Sequence, residues 1–182
     1  GPGATNLTTG IATAYYDSSP VVFITCNVTE NLLGKDAFQE VDITGIAMPI
    51  TKATYLVRDP QTIPDIMREA FAVAATGRPG PVLIDFLKNV TAPNELIDYE
   101  PMERKEHIKH GRLQALTRRI GWDIRTPEPN HEDVDKLAEM IAKAEKPLLI
   151  CGGGVVRGRA HKQFREFAEK IDSPVAITVM GG

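Results

Sequence analysis

The sequence predicts an α/β protein built on parallel sheets, and three observations carry this prediction. Short apolar segments rich in β-branched residues recur at 20–28, 81–87 and 147–151. Segments with apolar residues at helical spacing lie between them. Turns that contain glycine or proline join the two kinds of segment. Helices that alternate with short, continuously apolar strands are typical of parallel sheets with crossover helices.

The first elements follow from local patterns. In residues 4–16, Leu7, Ile11 and the pair Ala14-Tyr15 recur near helical spacing, and Thr5 or Asn6 is a candidate N-cap. The apolar run 20–28 predicts a strand buried on both faces of a sheet. Residues 29–42 are polar and irregular, with one helical turn expected in GKDAFQEVD.

The next pair of elements is an amphipathic helix at 61–75 and a second buried strand at 81–87, joined by the turn GRPGP. The apolar stripe of this helix is expected to contain Ile63, Ile66, Met67, Ala70, Phe71 and Ala74.

The character of the sequence changes after Val90, and this change predicts the domain organisation. Residues 93–130 lack a strand pattern and predict an interdomain linker with a helix at 104–120. Its basic cluster RKEHIKHGR indicates a solvated helix face more than an RNA or phosphate site. The α/β alternation resumes in 131–182 with a helix, the strand KPLLIC, a second helix and the strand SPVAIT. We therefore predict one domain in 1–92 and the beginning of another in 131–182.

Composition excludes several classes of function. The 182 residues carry a net charge of −3, so no overall positive field attracts nucleic acid. No apolar run approaches the roughly 18 residues of a membrane span. The two cysteines, Cys26 and Cys151, end apolar strands and are expected to be isolated buried thiols. That usage favours a reducing compartment such as the cytosol over a disulfide framework.

Two glycine-containing turns are candidate ligand sites. GPGATN precedes the first helix, where glycines allow close approach and a helix N-terminus attracts anions, but it lacks the spacing of the known phosphate loops. CGGGVV follows a strand, as dinucleotide-binding turns do. A plain turn explains CGGGVV equally well, and it is the favoured explanation of GPGATN taken alone.

Four side chains are further candidates. Arg78 of GRPGP is placed either to cap a helix C-terminus or to contact a phosphate or flavin. Lys88 follows the end of a predicted strand, where ligands gather in open sheets, although a surface lysine explains it too. Phe38 and Gln39 of DAFQE lie in a loop after a strand, where they line a pocket or only pack locally.

In combination, these motifs resemble one family. GPGATNLTTGIATAYYDSSPVVFITCNV, GKDAFQEVDITGIAMPITKATYLV and EAFAVAATGRPGPVLIDFLKNV resemble the second half of the pyrimidine-binding domain of the acetolactate synthases, which are thiamine-diphosphate-dependent enzymes. KPLLICGGGVV through SPVAITVMGG resembles the start of their Rossmann-like central domain. DAFQE followed by PITK is the most specific part and points to the flavin-containing biosynthetic enzymes. The resemblance thus implies a partial thiamine-diphosphate-binding (pyrimidine-type) domain followed by the beginning of the central domain.

The resemblance also implies residue roles. Gln39 would lie near the thiamine diphosphate and the bound keto acid, with Phe38 shaping the pocket. Ser18 would lie near the substrate channel, and Lys88 would attract the carboxylate of the keto acid there. Arg78 would contact FAD, as would a set of central-domain residues: Gly153, Thr178, Val179, Met180 and Gly181. Several positions depart from the family pattern, among them Asn27, Thr29, Ala53, Leu87 and Asn89.

The activity implied by the resemblance is the condensation of pyruvate with pyruvate or 2-oxobutyrate, with loss of CO2, in branched-chain amino acid biosynthesis. The cofactors would be thiamine diphosphate, FAD and Mg²⁺, the last held by residues outside this sequence. The implied partners are further catalytic subunits, in a homodimer or tetramer, and a small regulatory subunit. The location would be the cytoplasm of a bacterium, in preference to a plastid or mitochondrion. The chain would be an internal part of a longer subunit and inactive alone. Two alternatives stay open: another thiamine enzyme of the pyruvate oxidase or carboligase type, and a non-catalytic module that binds flavin or a partner.

Overall fold

The computed structural model describes residues 1–92 and 129–181, which fall into two compact units, Gly1–Pro127 and Glu128–Gly182. The predicted helix at 104–120 and the basic cluster lie outside the described residues. The boundaries at 92 and 131 stay predictions.

The first unit is a three-stranded parallel sheet with helices on both faces. The strand order is β1-β3-β2, and every pairing is parallel, as predicted. Val22 of β1 and Ala53 of β2 both lie opposite Val82 of β3, so the three strands begin together, and β2 ends one residue before the other two. The elements are α1 (Pro2–Thr5), α2 (Thr8–Tyr16), β1 (Val22–Asn27), α3 (Ile43–Ala47), β2 (Ala53–Val57), α4 (Ile63–Ala75) and β3 (Val82–Leu87).

The central strand β3 is buried along its whole length. Its alternate side chains enter two different apolar clusters, because successive residues of a strand point to opposite faces. Leu83 packs with residues of α1, α2 and α3, among them Ile11 and Ile43. Val82, Ile84 and Phe86 pack on the other face with residues of α4. This two-sided cover explains why VLIDFL reads as a continuous apolar run interrupted by one aspartate.

The prediction that the first strand is buried on both faces is wrong. In β1, Thr25 and Asn27 are buried, but Ile24 is 52% exposed and Cys26 is also exposed. The cause is cover by helices, because Ile24 and Cys26 lie on the face of β1 that the described residues leave largely uncovered. The expectation of two buried thiols therefore holds for Cys151 and fails for Cys26.

Other differences concern helices and one strand. The predicted helix at 4–16 is divided at Asn6-Leu7 into α1 and α2. Sequence analysis assigned no element to 43–60, where the structure has α3 and β2. In α4, Phe71 is 59% exposed, although the predicted apolar stripe contained it. Val73, which the stripe did not contain, is buried.

The side chain of Lys52 closes the C-terminal end of α4. Its Nζ donates to the carbonyl oxygens of Val73 and, at 2.5 Å, Thr76, which the helix leaves without partners. Burial lowers the pKa of Lys52 from 10.5 to about 8. The lysine of PITK is thus a structural cap in this unit.

We expect Lys52→Met to lower the free energy of unfolding by about 1 to 2 kcal/mol, because two helix carbonyls lose a charged donor. The effect depends on pH. Between about pH 8 and 10.5 the unfolded state binds more protons at this lysine than the folded state, so its contribution to stability rises with pH. Denaturation of the wild-type and Lys52→Met proteins across pH 7 to 10.5 measures how the difference in their free energy of unfolding changes with pH. A stability difference that is independent of pH would contradict it.

The second unit has a two-stranded parallel sheet, β4 paired with β5, with Leu149 opposite Val175. Asn130 caps α5 by accepting from the backbone N–H of Glu132. The elements are α5 (His131–Lys143), β4 (Leu149–Cys151), α6 (Gly153–Arg157), α7 (His161–Lys170) and β5 (Val175–Ile177). In both described ranges, every helix is too short or too polar to cross a membrane.

Candidate functional site

Hydrogen bonds and an ion pair connect the loops that follow the three strands of the first unit, at the carboxyl edge of the sheet. The backbone N–H of Lys88 donates to the carbonyl of Val28, and Asn89 Oδ1 accepts from the N–H of Glu30 at 3.0 Å. Arg58, just after β2, forms an ion pair with Glu30 at 3.0 Å. The carboxyl ends of parallel strands are the usual ligand edge of an open α/β sheet.

The backbone of the loop at 34–40 is strained. Gly34, Asp36 and Gln39 all have positive φ, of 77°, 53° and 63°. The carboxylate of Glu40 accepts from the N–H groups of Ala37 (2.9 Å), Gly34 and Lys35 (3.3 Å), and these bonds lower its pKa. The expected helical turn in GKDAFQEVD is therefore absent, because the backbone donors turn inward to one carboxylate. Non-glycine residues at positive φ cluster at functional sites.

The first glycine of GPGATN contacts this loop closely. A Cβ on Gly1 would overlap the carbonyl oxygen of Gln39 and lie 2.7 Å from its carbonyl carbon. Gly1 also lies at the start of α1, whose first residue is Pro2. The glycine is therefore required by packing against the Gln39 backbone, whatever ligand approaches it.

Three of the residues predicted from the sequence lie at this carboxyl edge. Phe38 is 89% exposed, and Gln39 and Lys88 are exposed as well. Lys88 begins the short 3-10 turn Lys88–Thr91 that follows β3 directly. The three side chains are thus exposed in the loops that follow β1 and β3, and their role toward a ligand stays a prediction.

Two other predicted residues, Ser18 and Arg78, contact each other at the opposite edge. Arg78 Nε donates to Ser18 Oγ at 2.8 Å, and its Nη2 approaches the carbonyls of Tyr15 and Tyr16 at the end of α2. Ser18 is buried, with φ of 54°. These residues precede the strands, and the six residues of β3 span about 20 Å. Arg78 thus caps α2, and its role toward FAD stays a prediction.

The substitution Arg78→Lys tests whether Arg78 only caps α2 or also binds a ligand. We expect it to lower the free energy of unfolding by about 1 kcal/mol, since lysine lacks the fork that joins Ser18 to the α2 carbonyls. Ser18→Ala is the matched control, because it removes the same hydrogen bond and keeps the guanidinium. If Arg78 also binds flavin, FAD affinity falls in Arg78→Lys and stays unchanged in Ser18→Ala. Thermal denaturation and FAD titration of the full-length subunit measure the two effects.

Sequence analysis missed a buried polar cluster between β1 and β3. Asp85 is 1% exposed and accepts hydrogen bonds from Thr25 Oγ1 at 2.7 Å and Asn27 Nδ2 at 2.9 Å. Asn27 Nδ2 also donates to the carbonyl of Val41 at 2.9 Å. The aspartate inside VLIDFL could have predicted this cluster, because a charged residue in a buried strand needs hydrogen-bond partners.

In the second unit, the predicted flavin residues lie together in two loops. The N–H of Thr178 donates to the carbonyl of Cys151 at 2.9 Å. A Cβ on Gly153 would lie 2.9 Å from the oxygen of Met180, and one on Gly181 would lie 2.5 Å from that of Cys151. These glycines are therefore required because the two loops pack on each other. Val179 is 95% exposed and Met180 is 43% exposed, so they leave apolar surface open to a ligand.

Within residues 1–92 and 129–181, no group of three or more His, Cys, Asp or Glu side chains is placed to hold a metal ion.

Two protein-family models match the chain, and both describe domains of one class of enzyme. Residues 1–46 match the N-terminal TPP binding domain of thiamine pyrophosphate enzymes, and residues 134–182 match their central domain. A crystal structure of benzoylformate decarboxylase from Polynucleobacter necessarius has the same fold, with a TM-score of 0.74 and 22% identity, and the match covers 98% of this chain and 30% of that one. The chain belongs to the thiamine pyrophosphate enzymes.

Among its curated relatives in this family are acetolactate synthases. The chain is 47% identical over 181 residues to acetolactate synthase of Arthrospira platensis. It is 41% identical over 181 residues to the probable acetolactate synthase large subunit of Methanocaldococcus jannaschii. Each match covers 100% of this chain and 29% of the relative, so the chain spans less than a third of these proteins.

Proposed function

We propose that this chain is part of the catalytic subunit of an acetolactate synthase, which condenses pyruvate with pyruvate or 2-oxobutyrate and releases CO2. The main support is the identity of 47% to an acetolactate synthase along the whole chain. The products would be 2-acetolactate and 2-aceto-2-hydroxybutyrate, precursors in branched-chain amino acid biosynthesis. Because the chain spans 29% of such relatives, the activity belongs to a full-length subunit.

The carboxyl edge of the first unit is the proposed place of the keto acid and of thiamine diphosphate. When bound, thiamine diphosphate supplies the electron sink for decarboxylation and for carbon–carbon bond formation. Phe38 and Gln39 are exposed on a strained loop, so ring and amide are free to contact a ligand. Lys88 offers its ammonium group to the carboxylate of the keto acid. A positioned charge and amide orient the substrate for reaction.

FAD is the proposed ligand of the second unit, with Mg²⁺ held by residues outside this sequence. The support for FAD binding comes from the segments that follow β4 and β5. After β4, a Cβ on Gly154 would meet no atom within 4 Å, and after β5, Val179 is almost fully exposed. The backbone is thus open to a large planar ligand next to an apolar side chain. Gly153, Thr178, Met180 and Gly181 would hold these loops in place for FAD.

The proposed assembly is a homodimer or tetramer of catalytic subunits with a small regulatory subunit, and the proposed location is the bacterial cytoplasm. One relative carries the name large subunit, which supports the presence of a second kind of subunit.

The test is formation of acetolactate from pyruvate by the full-length subunit with thiamine diphosphate and Mg²⁺, with and without FAD. We expect acetolactate to form and to require FAD. CO2 release without acetolactate would replace the proposal with a different thiamine enzyme, such as one of the oxidase or carboligase type. Activity that is indifferent to FAD would withdraw the flavin residues and keep the reaction.

A further inference from the structure

We infer that Asn27 is a positioning residue, which sets the loop of Phe38 and Gln39 through a buried hydrogen-bond chain anchored on Asp85. The inference rests on the proposed function, because it assigns the chain of bonds to the proposed keto-acid site.

The anchor is a carboxylate inside the sheet. Asp85 lies on the central strand β3 and is 1% exposed, and each of its oxygens accepts one side-chain hydrogen bond. Thr25 supplies one of these bonds and Asn27 the other, both from β1. A buried carboxylate is tolerated only when hydrogen bonds replace its water, so the two donors are held firmly.

Asn27 transmits this anchoring to the loop. Its Nδ2 donates to Asp85 and to the carbonyl of Val41, both at 2.9 Å, and its Oδ1 accepts from the N–H of Val28 at 2.9 Å. The reversed amide would turn its oxygen toward a carboxylate and a carbonyl, so only one orientation satisfies all three partners. Val41 is two residues after Gln39, so the bond fixes the end of the loop.

The loop needs such an anchor because its backbone is strained. Gln39 has φ of 63°, which an unrestrained glutamine rarely adopts. Glu40 holds the amides at the beginning of the loop, and Asn27 holds the carbonyl at its end. Loss of the Val41 bond lets Gln39 relax to negative φ, which moves its side chain away from the substrate position.

Thr25 provides a matched control. It donates to the same carboxylate as Asn27 and is buried to a similar extent, but none of its described bonds reaches the loop. A purely structural role of the cluster would give Thr25→Val and Asn27→Ala the same phenotype.

The experiment uses the full-length subunit with thiamine diphosphate, Mg²⁺ and FAD, and measures kcat/KM for acetolactate formation from pyruvate. Asn27→Ala is expected to lower kcat/KM by about 10- to 100-fold, the usual loss for a small displacement of a positioning group. Thr25→Val is expected to lower the free energy of unfolding, because Asp85 loses one donor, but to keep kcat/KM near wild type, because the bond from Asn27 to Val41 remains. Asn27→Ser is the second variant if Asn27→Ala does not fold, since its short side chain keeps a hydroxyl but not the reach to Val41.

Two further readouts separate this inference from the proposed function. Amide hydrogen exchange of residues 34–41 is expected to be faster in Asn27→Ala and unchanged in Thr25→Val, whatever the reaction is. In a Gln39→Ala background, Asn27→Ala is expected to cause little further loss, because both changes affect one side chain. Equal losses in Thr25→Val, unchanged exchange, or fully additive losses would overturn the inference. Wild-type activity of Gln39→Ala would overturn the proposed site, and exchange would still decide whether Asn27 holds the loop.

Discussion

Replacement of Gly1 by alanine is expected to reduce acetolactate formation by the full-length subunit about 100-fold, because the added methyl group displaces the Gln39 backbone. The Cβ would overlap the carbonyl oxygen of Gln39 and lie 2.9 Å from its Cα. Neither partner can move away as a flexible side chain does, since both contacts involve backbone atoms. Steady-state kinetics with pyruvate measure the effect.

Gly10→Ala is the matched control for this prediction. Gly10 lies in α2, and a Cβ there would meet no atom within 4 Å. Alanine also favours a helix over glycine by about 1 kcal/mol, so the control protein should be at least as stable as wild type. Comparable activity of the Gly1 and Gly10 variants would show that the contact with Gln39 has no functional weight.

Leu83→Ala is expected to lower the free energy of unfolding by about 3 kcal/mol, the typical cost of truncating a fully buried leucine. Leu83 is 0% exposed and packs with Ile11, Ile43 and Ala47. The resulting cavity lies between the sheet and three helices, and the central strand cannot shift to fill it. Thermal denaturation of the full-length subunit should show a Tm lower by several degrees.

Ile24→Ala is the comparison for the edge strand. Ile24 is 52% exposed, so its truncation removes less buried surface and should cost less than about 1 kcal/mol. Similar losses at Leu83 and Ile24 would mean that the exposed face of β1 is covered in the full-length subunit.

The strands were predictable where burial is continuous on both faces. The run VLIDFL became β3, because a central strand needs apolar side chains on both sides. The strand ATYLV was missed because it is short and its residues are mostly half-buried, so it lacks a continuous apolar run. A strand such as β1 has the same composition as one covered on both faces, so the exposure of Ile24 and Cys26 follows only from which face the described helices leave uncovered.

The positions of the candidate residues were predictable from the sequence only in part, and their roles stay predictions. Phe38, Gln39 and Lys88 lie at one edge, as strand-end residues of parallel sheets should. Arg78 and Ser18 both precede strands, which puts them at the other edge, and their mutual hydrogen bond depends on the end of α2. The Asn27–Asp85 bond joins residues 58 positions apart, and only the register of β1 on β3 brings them together.

The two cysteines differ in solvent exposure, so a thiol reagent distinguishes them. Cys26 lies on the open face of β1, whereas Cys151 is 6% exposed at the end of β4. A maleimide reagent should therefore label Cys26 rapidly and Cys151 only after denaturation. Protection of Cys26 in the assembled enzyme would report that another part of the assembly lies over that face, and the labelling rate would follow assembly without any substitution in the sequence.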